Sequence, residues 1–217
     1  MSNFSVPRRS LMLALTAGGT ALALAPAAAF ATTSPDLGKP APLFTAVDSN
    51  GKTWSLAELK GKVVVLETTN HDCPYVRKHY TGKNMQAQQR EAAAKGVVWL
   101  TTASNAAGEQ GAVTPAQANE LTKSRDAAPA AVLIDPQSKI ARAYGATVTP
   151  HMYIIDAKGV LVYKGGIDSI PSSSVADIPK ATQYVRVALD EVLAGKPVTV
   201  ASTQAYGCTM KYPKTST

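Results

Sequence analysis

Two cysteines and three histidines are the side chains of this sequence best suited to chemistry near neutral pH, and four of the five fall in two short segments. Cys73 stands in Thr68-Thr69-Asn70-His71-Asp72-Cys73-Pro74-Tyr75-Val76, after the apolar run Val63–Leu66 and before a stretch that reads as a helix. A thiol at such a strand-to-helix turn has its sulfur beside unpaired backbone N–H groups and the positive end of the helix dipole. Both favour the thiolate, and so a nucleophile. Pro74 suits the first helical position, where its missing N–H would have had no partner. His71 lies two residues before Cys73, His79 six after it, and His151 directly after Pro150. An imidazole beside Cys73 can take its proton or, as the cation, stabilise the thiolate. Arg77 and Lys78, one helical turn on, add positive potential, and Asp72 opposes it. Asn70 is placed to hydrogen-bond the thiolate or a bound oxidant. Two other readings stay open: Cys73 as a buried structural cysteine, and Cys73 with the histidines as a copper or zinc site.

The elements that must position these residues alternate between strand and helix. Leu43–Val47 and Thr53–Trp54 flank Asn50-Gly51, which reads as an opening hairpin. Ser55-Leu56-Ala57-Glu58 has the pattern of a capping box opening a short helix that stops at Gly61. Residues Lys62–Thr68 form a continuous apolar strand, the kind buried on both faces. A helix over Pro74–Lys95, broken or bent near Gly82, and a strand Val97–Thr101 follow. The loop Thr102–Val113 is long enough to carry function, and its Glu109 and Gln110 could overhang the site. Thr114-Pro115-Ala116-Gln117 opens another helix with a capping box. Strand Ala131–Ile134, helix Ser138–Tyr144, the hairpin Met152–Ile155 with Val160–Tyr163, and helix Ala181–Leu193 complete an α/β sheet covered on both faces.

The N-terminus reads as an export signal. Arg8-Arg9 precedes the apolar run Leu11–Leu24 and an Ala29-Phe30-Ala31 cleavage site, which makes residues 1–31 a signal peptide with a twin-arginine flavour. Residues 32–195 then form one domain and 196–217 a tail carrying Cys208. Removal of the signal leaves a net charge of +5 from the +7 of the whole chain, with no basic block to bind nucleic acid and no membrane-spanning run. The expected location is periplasmic or secreted, an oxidising compartment in which a Cys73–Cys208 disulfide is chemically allowed.

Cys73-Pro74-Tyr75-Val76 after a central strand, and Tyr144-Gly145-Ala146-Thr147-Val148-Thr149-Pro150 before another, resemble the thioredoxin fold. The resemblance implies a central mixed β-sheet with helices on both faces and an N-terminal β-hairpin. It also implies a cis-proline at Pro150 beside the reactive cysteine, with Thr149, Pro150 and His151 forming the edge that pairs with a partner. Within that fold the chain is similar to the redoxins, the alkyl hydroperoxide reductase and thiol-specific antioxidant relatives. Especially close are secreted members that share Asn70–Val76 and an ending like Tyr206-Gly207-Cys208-Thr209-Met210-Lys211-Tyr212. The match at both ends implies that Cys208 belongs to one functional unit with Cys73.

The departures are as informative. Val76 stands where thioredoxins have their second cysteine, so a local two-cysteine loop is excluded. Leu66 and Asn70 stand where peroxiredoxins carry proline and threonine, and Thr149-Pro150 where they carry an arginine. Peroxide cleavage needs donors that polarise the O–O bond, and two of the usual ones are missing. The expectation is a thiol oxidoreductase without cofactor or metal. Cys73 is its nucleophile and Cys208 its resolving thiol, with Asn70, His71 and Arg77 in support. Its partners are an external thiol reductant or protein thiol and a small-molecule or protein disulfide or peroxide. A peroxiredoxin-like peroxidase and a metal- or thiol-binding module are the alternatives.

Overall fold

A computed structural model of the protein describes residues 1–3 and 34–214, so the expected signal segment lies almost wholly outside the described residues. The chain divides into Met1–Phe30 and Ala31–Thr217, and the second unit is the one described below. It opens with β1 (Thr45–Val47) and β2 (Thr53–Ser55), an antiparallel hairpin in which Thr45 faces Ser55. Its turn spans Asp48–Lys52 and is held by the Asp48 carboxylate, which accepts from the Asn50 and Lys52 N–H groups and from Trp54 Nε1. The expected capping box at Ser55 does not form. Leu56–Leu59 is a single 3₁₀ turn without a side-chain cap, and i→i+3 bonding turns the N3 N–H to the N-cap carbonyl instead of leaving it free for such a cap.

Next come β3 (Val64–Thr68), buried throughout, α1 (Pro74–Thr81), α2 (Asn84–Ala94) and β4 (Val98–Ala103). The break between the two helices falls at Gly82-Lys83, where the sequence places it; Gly82 touches Ile178 and Val175, and an added Cβ would overlap Ile178. Then follow α3 (Pro115–Ser124), with the reciprocal Thr114–Gln117 capping box in place, β5 (Ala131–Ile134), α4 (Lys139–Ala143), β6 (Val148–Thr149), β7 (His151–Ile155), β8 (Leu161–Gly165), α5 (Tyr184–Leu193) and β9 (Cys208–Thr209).

The main sheet has the order β5-β4-β3-β7-β8, parallel from β5 to β3 and antiparallel from β3 to β8. Alternation along the strands separates two cores. Val65, Trp99, Met152 and Ile154 face α1, α2 and α5, and this core includes Cys73 and Val76. Val64, Leu66, Leu100, Tyr153 and Ile155 face the opposite side, where Phe44, Leu56 and Ile140 cover them. Helices therefore lie on both faces of a mixed sheet, as expected.

After α5 the chain does not trail away. Ala201–Thr203 runs beside the β8 edge, with Lys164 N donating to Ala201 O and Thr203 N to Lys164 O. It then crosses to pair β9 with β6, and Ala106 N, donating to Lys211 O, fastens the last stretch. Its pairings are a single bridge at Ser202 and the two residues of β9, too short to show a strand period in the sequence.

Candidate active site

Cys73 occupies the N-cap of α1 in an extended conformation, with Pro74 at the first helical position. β3 delivers the chain to this point. The turn Asn70–Cys73 closes through the Cys73 N–H, which donates to the Asn70 carbonyl at 3.1 Å. The Cys73 side chain is fully buried. Its Sγ donates to the Thr149 carbonyl at 3.1 Å and accepts from the Cys208 N–H at 3.3 Å. The Thr149–Pro150 peptide bond is cis, so the thiol sits against the residue before a cis-proline.

The tail brings the second sulfur to the same place. Thr149 faces Cys208 and Val148 faces Thr209 in the antiparallel β6–β9 pair, and Met210 N donates to Thr147 O. Gly207 makes this approach possible: its φ is +144°, and an added Cβ would come within 1.9 Å of the Thr149 carbonyl oxygen. No disulfide joins the two cysteines in this structure, and Cys208 is half-buried. Burial, and then the neighbouring Cys73 thiol, push the Cys208 thiol up to about 12.

The other residues singled out from the sequence lie elsewhere. The Asn70 side chain does not serve the thiol: its Oδ1 accepts from Asp72 N at 2.9 Å and its Nδ2 donates to Gln110 O at 3.5 Å, so it ties the β3–α1 turn to the long loop. His71 pairs with Asp72 at 3.5 Å on the partly exposed flank of the turn, and its carbonyl accepts from Arg125. Arg77 is exposed beside Thr81, Lys83 and Arg125, because only every third or fourth residue of α1 faces the thiol. His151 stacks on Tyr153 with ring centroids 4.6 Å apart. The pair shares the sheet face opposite Cys73, and burial holds the imidazole down to about 4. The three histidines thus occupy separate environments, and among the described residues no group of His, Cys, Asp and Glu side chains is arranged to hold a metal ion.

Two buried polar clusters escaped the sequence reading. Lys78, His79 and Asp168 are almost completely buried. Lys78 Nζ donates to Asp168 Oδ2 at 3.1 Å, to Ile170 O at 3.0 Å and to Tyr206 Oη at 3.4 Å, while the Tyr206 hydroxyl donates to Asp168 Oδ1. Asn84 Nδ2 donates to His79 Nδ1 at 2.9 Å, which leaves the proton on Nε2, 3.3 Å from the Tyr206 hydroxyl. Burial keeps this imidazole neutral, its pKa lowered to about 4. Beneath α1, buried Glu67 accepts from Trp99 Nε1 at 2.9 Å, Tyr80 Oη at 3.0 Å, Thr101 Oγ1 at 3.2 Å and Gln89 Nε2 at 3.5 Å. Burial raises its pKa against the lowering effect of these four donors. A carboxylate inside an otherwise apolar run was the available signal for Glu67; nothing local marked Asp168.

A sheet of order β5-β4-β3-β7-β8, a cysteine capping the helix after the central strand and a cis-proline against its sulfur define a protein of the thioredoxin fold. Residues 37–164 match the AhpC/TSA family, more than half of the chain, and the chain belongs to that family, in the redoxin class of thiol oxidoreductases. The match ends at β8, so Tyr206 and Cys208 lie beyond it. Among solved structures, the chain is similar to an uncharacterized conserved protein from Geobacillus kaustophilus, at 27% identity over 83% of this chain and 94% of that one, with a TM-score of 0.73. It is also similar to a hypothetical protein from Sinorhizobium meliloti 1021, at 26% identity over 83% and 97%, with a TM-score of 0.70. A candidate protein disulfide isomerase from Bacteroides thetaiotaomicron shares the fold at 18% identity over 73% and 91%, with a TM-score of 0.54. No curated protein matches the chain.

Proposed function

We propose that the protein is an exported thiol–disulfide oxidoreductase, acting after residues 1–31 are removed, with Cys73 as nucleophile and Cys208 as resolving thiol. The observation that carries this reading is the placement of Cys208 across from Thr149, with its N–H on the Cys73 sulfur at 3.3 Å. A thiol pushed up to about 12 stays protonated at neutral pH, which leaves Cys73 to attack first.

The Cys73 thiolate attacks one sulfur of a disulfide, forming a mixed disulfide and releasing the other half as a thiolate. Cys208 then attacks the Cys73 sulfur; the S–S bond to the substrate breaks, and the second half leaves with the Cys208 proton. One substrate disulfide is reduced and two protein thiols are oxidised to a bridge, which an external thiol must reduce. Disulfide exchange is favoured over peroxide cleavage because Asn70, the one candidate substitute for the missing threonine, gives its side chain to Asp72 and Gln110.

The test compares the reduced protein exposed to oxidised glutathione with the same protein exposed to hydrogen peroxide, following thiol loss by rapid quench. Thiol loss with oxidised glutathione that vanishes in Cys73→Ser, and stops at the mixed disulfide in Cys208→Ser, supports the reading. Thiol loss only with peroxide moves the assignment to a peroxidase. Unchanged thiol loss at Cys208 in Cys73→Ser removes Cys73 as the nucleophile.

A further inference from the structure

The tail reaches Cys73 through one buried polar anchor. Tyr206 is two residues before Cys208, and its hydroxyl enters the cluster formed by Lys78 and His79 on α1 and by Asp168 on the segment after β8. Its ring packs edge-on against Tyr75, with centroids 5.7 Å apart, and the Lys78 ammonium lies 5.6 Å from its centroid. Lys78 and Asp168 are each 1% exposed, so the pair is present at the full cost of desolvating two charges. Tyr75 and Lys78 lie two and five residues beyond Cys73, on the helix that Cys73 itself caps. The anchor therefore references the Cys208 strand to the same rigid element that carries the first thiol.

We propose that Tyr206, clamped by Lys78 and Asp168, is a positioning residue that sets how firmly Cys208 is held against Cys73, and with it how far Cys73 is shielded from external reagents. The proposal deepens the two-thiol reading and rests on it for the bridge, but not for the shielding. A second thiol held in place raises its effective concentration toward the first without any new contact at sulfur. The same clamp keeps β9 on β6, which leaves Cys73 with no exposed surface. When the anchor lets go, the two effects move in opposite directions: the internal bridge becomes harder to form and Cys73 easier to reach.

Tyr206→Phe tests this, since it keeps the ring against Tyr75 and removes only the hydroxyl. Two quantities are measured: the equilibrium constant for bridge formation against oxidised and reduced glutathione, and the rate at which iodoacetamide alkylates Cys73 in a Cys208→Ser background. Loss of a hydrogen bond to a buried charge predicts a fall in the first and a rise in the second, each on the order of tenfold. Leu189→Ala, in the core under α5, serves as a control of general destabilisation. It lowers the melting temperature but is expected to leave both quantities at the wild-type value. The proposal is overturned if Tyr206→Phe changes neither quantity, or if Leu189→Ala changes both as much. If the wild-type protein forms no Cys73–Cys208 bridge with oxidised glutathione, the two-thiol reading fails, and the alkylation rates alone then decide whether Tyr206 positions the tail.

Discussion

Thr149 and Cys208 face each other across the β6–β9 pair, and both reach the same sulfur: the Thr149 carbonyl accepts from Cys73 Sγ, and the Cys208 N–H donates to it. The strand edge before cis-Pro150, which the resemblance reserves for an incoming partner, is filled by the protein's own tail. Cys73 is consequently buried and Cys208 is the outer thiol of the pair. On the proposed cycle, an external reductant meeting the bridged form would reach the Cys208 sulfur first and expel the Cys73 thiolate, whereas an external disulfide would reach Cys73 only once β9 had lifted.

The narrowest point of this arrangement is Gly207. With φ at +144° and the Thr149 carbonyl oxygen 1.9 Å from where a Cβ would sit, Gly207→Ala forces the two backbones apart. The expected cost is about 1–3 kcal/mol, taken up by release of β9 instead of by global unfolding. Hydrogen exchange should show Cys208 and Met210, whose N–H groups donate to Cys73 Sγ and Thr147 O, losing protection while β3 and β4 keep theirs. Equal loss of protection in the central strands would contradict this.

Acid should weaken the fold through its neutral imidazoles. His79 and His151 each titrate near 4 in the folded protein against 6.5 in the unfolded chain, in both cases first because burial penalises the charged form. A base with a depressed folded pKa contributes stability that is complete above 6.5 and is lost as pH falls through about 4. Each ring accounts for roughly 3 kcal/mol between those limits. Urea unfolding at steps from pH 7 to pH 4 should show stability falling across this window, with a shallower fall in His79→Gln. An identical slope in that variant would mean that His79 is not buried neutral.

Glu67 lies in the run Lys62–Thr68 that reads as a buried strand, so its burial is legible from its neighbours, while its four donors come from β4, α1 and α2 and are not. The order of strands and helices, the break near Gly82 and the Thr114 capping box could be read from periodicity and turn chemistry, because these are local features. Cys73 at the head of α1 was readable for the same reason. Arg77 and its neighbour Lys78 look alike in the sequence, yet α1 turns Lys78 inward, toward a carboxylate ninety residues away in sequence, and leaves Arg77 exposed. Asn70, a neighbour of the thiol in sequence, is drawn off by the Asp72 N–H and the Gln110 carbonyl, and strand alternation places His151 on the far sheet face. The tail shows no period because its pairings with β8 and β6 are only one and two residues long.

Glu67 also yields a stability prediction. Its carboxyl is the common acceptor for Trp99, Tyr80, Thr101 and Gln89. Glu67→Ala leaves several buried donors without a partner and should cost about 3 kcal/mol or more. A shift in the urea midpoint at constant slope measures it. A loss below about 1 kcal/mol would mean that water replaces the carboxylate.

Whether Cys73 and Cys208 form one redox unit is tested most directly by peptide mapping of the oxidised protein. The fully reduced protein lacking residues 1–31 is treated with one equivalent of oxidised glutathione and separately with one equivalent of hydrogen peroxide, then weighed intact and digested. A mass lower by two hydrogens and a single cross-linked peptide joining Cys73 to Cys208 are expected after oxidised glutathione. Stable glutathione on one cysteine with the other left free, or two thiols that remain reduced, would contradict a single redox unit.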